Sequence, residues 1–168
     1  MNVMKQIRIE KLTLNIGAGK DQTKLEKAIL LLQHLTGITP VKTITDKRIP
    51  TWGLRPGLPV GCKLTLRGDA AAKMFERLLK AKNNKLTTSH VDDHGNLSLG
   101  IHEYIDVPGI EYEPKIGIIG FQACITLERP GYRIKRRKNF QRPIKHHLIT
   151  KEEAMQYFKD TFKVEFEE

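Results

Sequence analysis

Cysteine is almost missing from this chain, and what little there is does not suit a disulfide scaffold. The two thiols, Cys62 and Cys124, both fall inside strand-like apolar patterns. They read as small buried residues in a reducing compartment rather than as a cross-linking framework. Aromatic residues make up 7% of the chain, with one tryptophan, Trp52. No stretch approaches the roughly 18 apolar residues that a membrane-spanning helix needs. The opening MNVMKQIRIEK lacks the apolar centre of a signal peptide. Together these absences point to a cytoplasmic protein.

Catalytic signatures are missing as well. Gly17-Ala18-Gly19-Lys20 has the look of a nucleotide loop. The glycine needed five positions before the Gly-Lys pair is instead Leu14, and the hydroxyl residue needed after the lysine is Asp21. A strand-to-helix turn that requires glycine angles accounts for the segment, with an RNA phosphate at the helix N-terminus as its functional alternative. His90, Asp92, Asp93 and His94 crowd together. However, His94-Gly95-Asn96 signals a turn, and no cysteine or histidine cluster nearby completes a metal shell. There is no nucleophile elbow and no carboxylate pair beside a pocket signature. No metal or cofactor is expected, and the chain reads as non-enzymatic.

What the chain does have is positive charge. Lysine and arginine number 29 against 19 acids, a formal net charge of +10 over 168 residues. Hydrophobic residues at 39% supply a core, so the excess charge belongs to a folded surface with a polyanionic partner. Charge by itself does not separate RNA from DNA or an anionic membrane. Between Arg129 and Lys151 there are nine basic residues and no acid. Pro130 and Pro143 interrupt that run, which predicts an extended arm rather than a long helix. Its centre holds Arg133, Lys135, Arg136, Arg137 and Lys138.

Periodicity organises the rest. Lys11–Gly17 and Val60–Arg67 alternate strictly. Leu12, Leu14, Ile16, Val60, Cys62, Leu64 and Leu66 fall on one face; Lys11, Thr13, Asn15, Lys63, Thr65 and Arg67 fall on the other. Asp21 caps a helix with Leu25, Ala28, Ile29 and Leu32 as its stripe, and Gly37 and Pro40 stop it. A short strand near Val41–Thr45 leads into a long connection, residues 46–59, which carries Lys47, Arg48, Trp52 and Arg55. Connections this long are usually functional. Asp69 is expected to cap a second helix with Ala71, Met74, Phe75 and Leu78 inward. Residues 80–96 read as a loop or a poorly ordered segment, and strands follow near Leu97–Ile101 and Ile116–Glu128. Thr150 and Glu153 form a capping box for a helix bearing Ala154, Tyr157, Phe158 and Phe162. A short strand closes the chain in VEFEE, and this tail docks either on the body or on a protein partner.

The expected fold is therefore α+β: a mostly antiparallel sheet with helices packed on one face, a long basic loop and a basic C-terminal arm. Residues 1–128 would form the core, and 129–168 the arm and final helix. The uncovered sheet face presents cations, hydroxyls and an amide, the chemistry of RNA backbone and 2′-hydroxyl recognition.

Particular motifs sharpen this. LTLNIGAG (12–19), LTGITPVKT (35–43), GLRPGLPVGCKLTLRG (53–68), GNLSLGIHEYIDVPGIEY (95–112) and GIIGFQACITLERPGYRIKRRK closely resemble the large-subunit ribosomal protein five family over nearly the whole chain. The arm and final helix look like its archaeal and eukaryotic branch. The resemblance implies a structural protein that binds 5S rRNA in the central protuberance beside 23S-type rRNA and neighbouring proteins. It implies a loop that reaches P-site tRNA, and a bridge to a protein of the small-subunit head. Asn15 and Thr65 match polar residues of the face that touches 5S RNA; Lys11, Thr13, Gly17, Lys63 and Arg67 complete that candidate set. Lys47, Arg48, Trp52 and Arg55 fall in the tRNA-contacting loop. Ile38 stands where the family often has glutamine, which removes one RNA hydrogen bond there. Two rival readings remain at this point. One is a free RNA-binding module; the other is a small enzyme using His90 or His94.

Overall fold

The two alternating segments are strands, and their alternation decides which side of the sheet is covered. In the computed structural model, which describes residues 2–144 and 146–167, β1 spans Arg8–Gly17 and β3 spans Pro59–Leu66. Between them come α1 (Gln22–Thr36) and β2 (Val41–Ile44), and after them α2 (Gly68–Ala81) and β4 (Lys85–Thr87). The chain continues through β5 (Leu97–Ile101), β6 (Phe121–Glu128), α3 (Arg133–Arg136), α4 (Lys151–Phe162) and β7 (Glu165–Glu167). Five strands form a mostly antiparallel sheet in the order β2-β3-β1-β6-β5, and β4 pairs with β7 in parallel. The α+β architecture is the one expected. Gly61 is needed for close approach: a Cβ there would lie 2.5 Å from the Ile16 carbonyl oxygen and 3.0 Å from Thr43 Oγ1.

The chain divides into two compact units. The first holds residues 13–66 and 99–123. Here α1 packs on β3 through Leu25, Ala28, Leu31, Leu32 and Leu35. Ile29, expected on that stripe, is only half-buried, because the helix turns its 31/35 row inward instead. Asp21 caps α1 as expected, and Gly37 ends it at φ 72°, where a side chain would be strained. Tyr104 is fully buried, and its hydroxyl accepts the Glu113 N–H at 2.9 Å.

The other unit holds residues 2–12, 67–98 and 124–167. Three expectations are corrected there or at its margin. The N-cap position of α2 is Arg67, with no side-chain cap, and Asp69 sits within the first turn. Gly68, at φ 61°, starts the helix two residues earlier than a capping aspartate would. The segment 80–96 is not a loop: it holds the end of α2, then β4, a short 3-10 turn at Thr88–His90 and a bridge from Val91 to Leu97. Its polar composition concealed β4 because pairing with the distant β7 stabilises it. The strand placed at Ile116–Glu128 begins only at Phe121.

The C-terminal tail docks on its own unit. Phe75 of α2 meets Phe158 and Phe162 of α4, with ring centroids 5.7 and 4.9 Å apart. The capping box is present, and Glu153 serves two partners. One carboxylate oxygen accepts the Thr150 N–H at 3.0 Å, while the other takes Arg129 Nη2 at 2.7 Å. The Thr150 N–H first, then Arg129, holds the Glu153 carboxyl below its ordinary value of 4.5, against opposing burial. A carboxylate with a lowered folded pKa stabilises above its unfolded pKa, and that contribution is lost as pH falls through the folded value. The melting-temperature gap between wild type and Glu153→Gln should be open near neutral pH and close between about pH 5 and pH 3. A gap unchanged across that range would remove Glu153 from the anchoring of α4.

Candidate nucleic-acid interface

The polar rows of β1 and β3 oppose the buried ones, as the alternation requires. Thr13 and Asn15 are half-buried, while Gly17, Lys63 and Thr65 are exposed. Asn15 Nδ2 donates weakly to Gln122 Oε1 of β6 at 3.5 Å, so the amide is held loosely. Both residues line a cleft of about 580 Å³ with Gly17, Gly100, His102 and Ile118. Gln122, Cys124 and Thr126 extend the polar row along β6. Cys124 is therefore half-exposed, a correction to its reading as a buried residue, whereas Cys62 is fully buried.

In the other unit, Lys11 and Arg67 approach Glu10: Lys11 Nζ is 3.9 Å and Arg67 Nη1 3.6 Å from its carboxylate. Arg67 also donates to the Glu10 carbonyl at 3.3 Å. These cations are partly neutralised where they stand.

The connection 46–59 is an extension of the β2–β3 hairpin rather than a slack loop. Ile49 and Leu54 exchange backbone hydrogen bonds at 3.1 and 3.0 Å, and Thr45 bonds both Leu58 and Gly57. Leu54 is buried inside it, while Lys47, Arg48 and Arg55 are exposed and Trp52 is 68% exposed. A tryptophan left this bare beside cations is available for stacking.

The arm leaves β6 through Arg129, which is buried, and turns through the four-residue α3. It is thus mostly non-helical, as the prolines predicted. Arg133, Lys135, Arg136, Arg137 and Lys138 are all exposed; Lys145 of the same arm lies outside the described residues. Arg136 is not free. Its guanidinium bridges Glu10 of β1 and Glu128 of β6. The sequence reading missed both acids; their signal was two carboxylates in strands that flank an acid-free basic run.

The remaining candidates are accounted for by local structure. The amides of Ala18 and Gly19 donate to the Val60 carbonyl at 2.9 and 3.0 Å. The N-terminus of α1 is closed by the Asp21 carboxylate, which accepts from Thr23 N and Lys24 N. A phosphate there would meet a negative charge, so the turn does not offer the phosphate site expected of it. His90 Nδ1 pairs with Thr87. Asp92 accepts from the backbone of His94 and Asn96, which makes the acidic cluster a hydrogen-bonded turn. Among the described residues, no group of three or more His, Cys, Asp or Glu could hold a metal, and no helix is long and apolar enough to cross a membrane.

An α+β protein with an uncovered polar strand face, a basic hairpin tip and a basic arm is built to bind a polyanion rather than to transform a small molecule. Residues 2–55 match the family described as Ribosomal protein L5, and residues 59–157 match the model for the C-terminus of that same ribosomal family. The chain is 44% identical over 166 residues to the large ribosomal subunit protein uL5 of Sulfurisphaera tokodaii, covering 98% of this chain and 94% of that one. It is 45% identical to uL5 of Methanobrevibacter smithii, over 99% of this chain and 98% of the relative. For uL5 of Nanoarchaeum equitans the identity is 46%, over 96% of each. The chain belongs to the ribosomal protein L5 family. It is a structural component of the large ribosomal subunit, hence of the cytoplasmic ribosome, and not an enzyme, which disposes of the histidine-based rival.

Burial pushes the Cys62 thiol up to about 11, which leaves little reactive thiolate at neutral pH. In the native protein, a thiol-disulfide exchange reagent at pH 8 should label Cys124 well before Cys62, read by mass spectrometry. Equal labelling rates would show that the β3 face opens readily.

Proposed function

We propose that the chain binds 5S rRNA in the central protuberance through the polar rows of its strands, and reaches P-site tRNA through the hairpin extension 46–59. The observation that supports this reading best is the two-faced alternation of β1 and β3. It leaves Lys63 and Thr65 exposed and Thr13 and Asn15 half-buried while every neighbouring leucine is buried. Hydroxyl, amide and ammonium groups on a flat surface match the minor-groove hydroxyls and phosphates of a folded RNA. Lys11, Gly17 and Arg67 complete the set. In the hairpin, Lys47, Arg48 and Arg55 would take phosphates, and Trp52 would stack on an exposed base or ribose of the tRNA. The arm supplies sequence-independent phosphate contacts to 5S or 23S-type rRNA. Neighbouring proteins of the protuberance and a protein of the small-subunit head are the remaining partners. Ile38, 50% exposed after α1, offers no side-chain hydrogen bond to RNA.

A competition titration of 5S RNA against tRNA and a generic duplex at two salt concentrations tests the first half. A 5S preference that survives the higher salt supports a shaped site, and equal binding that vanishes with salt favours a general RNA-binding module. Replacing both Asn15 and Thr65 with alanine should weaken 5S binding by roughly 1–3 kcal/mol if their bonds are desolvated in the complex. Unchanged affinity would take the strand face out of the contact.

The hairpin is tested separately. Shortening residues 47–55 should leave 5S RNA binding intact while tRNA dissociates faster from the P site of reconstituted ribosomes. A collapse of 5S binding would mean the hairpin was assigned to the wrong RNA.

A further inference from the structure

The arm is closed at its base and fastened once at its middle. At the base, Arg129 Nη1 donates to the Leu148 carbonyl and the Tyr132 hydroxyl to the His147 carbonyl, both at 3.0 Å; His147 Nε2 lies 3.1 Å from the Pro130 carbonyl. Further out, Gln141 Nε2 donates to the Lys135 carbonyl at 2.6 Å and Arg137 Nε to the Phe140 carbonyl at 3.0 Å. These bonds give the arm its own shape but do not attach it to a strand. Among the described residues, the ion pairs that do so belong to Arg136. Its Nη1 meets Glu10 Oε1 at 2.6 Å, and its Nη2 meets Glu128 Oε2.

The two carboxylates are not ordinary surface acids. Their side chains are only 11% and 9% exposed, against 45% for Arg136. Carboxylates this enclosed are costly unless paired and hydrogen-bonded, and a guanidinium holds two at once in a fixed fork, whereas the single nitrogen of an ammonium fixes neither the span nor the geometry. Arg8 adds a second cation to Glu128 at 2.7 Å, and Arg67 one to Glu10 at 3.6 Å. As free charges, two acids beneath the most basic segment of a protein with net charge +10 would only weaken its attraction to a polyanion.

We propose that Glu10 and Glu128 are positioning residues for RNA binding: they clamp Arg136 so that Arg133, Lys135, Arg137 and Lys138 are presented as one preorganised set of phosphate contacts. Arg136 is the anchor of the arm and not itself a phosphate ligand. The inference rests on reading the chain as an RNA binder, and it narrows the role given to one member of the arm. Ordering the arm beforehand removes an entropic cost that would otherwise fall on binding.

The test turns on a sign. Removing two negative charges should strengthen binding to any polyanion if bulk charge governs, whereas loss of the clamp should weaken it. For the Glu10→Gln/Glu128→Gln protein we expect an archaeal 5S rRNA transcript to bind about tenfold more weakly. The slope of log Kd against log salt should shrink by about 1–2 units. Arg136→Lys keeps the charge and the least disturbed fold, and should show the same loss. Arg136→Gln added to the double variant should cost nothing more, because the anchor is already gone. Limited trypsin digestion without RNA reads the clamp directly, with faster cleavage between 133 and 138 expected in each variant. Unchanged cleavage overturns the clamp. Faster cleavage with equal or tighter RNA binding overturns its role in recognition, and so does additional weakening from Arg136→Gln. If the wild type shows no preference for 5S RNA over a generic duplex, the 5S assignment fails, while the trypsin result still decides whether the carboxylates hold the arm.

Discussion

A strand residue points to one face of its sheet or the other, and in β1 and β3 that rule separates leucine from lysine. Leu12, Leu14 and Ile16 alternate with Lys11, Thr13 and Asn15, and Leu64 and Leu66 alternate with Lys63 and Thr65. A slip of one residue in β3 would expose both leucines, each worth about 1.5–3 kcal/mol of burial, and drive Lys63 into an apolar layer. Register is therefore held by the core, and the polar row inherits that precision without contributing to it. Gly61 tightens the constraint, since β1 passes too close for any side chain there.

Charge is arranged by a second rule. The excess of cations is not a uniform coat: among the described residues, acids sort it into cations with partners and cations without. Glu10 and Glu128 engage Arg8, Arg67 and Arg136, and Glu153 engages Arg129. Lys47, Arg48, Lys63 and Arg55 project freely into solvent. The first group holds the molecule together and the second faces outward. A count of lysines and arginines does not distinguish the two.

How much could be read in the sequence follows from the range of the interactions. Alternation, the Asp21 cap, the Gly37 stop and the Thr150–Glu153 box act within a few residues, and each was legible. The uncovered polar row followed once the helices had claimed the other face. What escaped depended on partners far along the chain. Strand β4 exists because Lys85–Thr87 meets Glu165–Glu167. Nothing near Gln122 announces that it faces Asn15 across 107 positions. Arg136 looked like any cation of a basic run, because its two acids come from β1 and β6. The misplaced cap at Asp69 was a different failure: the left-handed angle of Gly68 starts the helix early, and aspartate serves in the first turn instead.

The pairing of β4 with β7 also sets a schedule for the chain as it is made. Lys85 is synthesised about 80 residues before its partner Glu165. At roughly 5–20 residues per second, that is a delay of about 4–16 s. Throughout it Phe75, Leu79 and Leu86, all buried in the finished protein, lack the α4 aromatics and the β7 strand. The unit built from residues 13–66 and 99–123 has no such wait beyond its own last strand residues. In a nascent chain, α1 and its sheet partner β3 are thus both made well before the α4 partners of Phe75. Any truncation before Phe158 strips Phe75 of both of its α4 aromatic partners and leaves that apolar face of α2 bare.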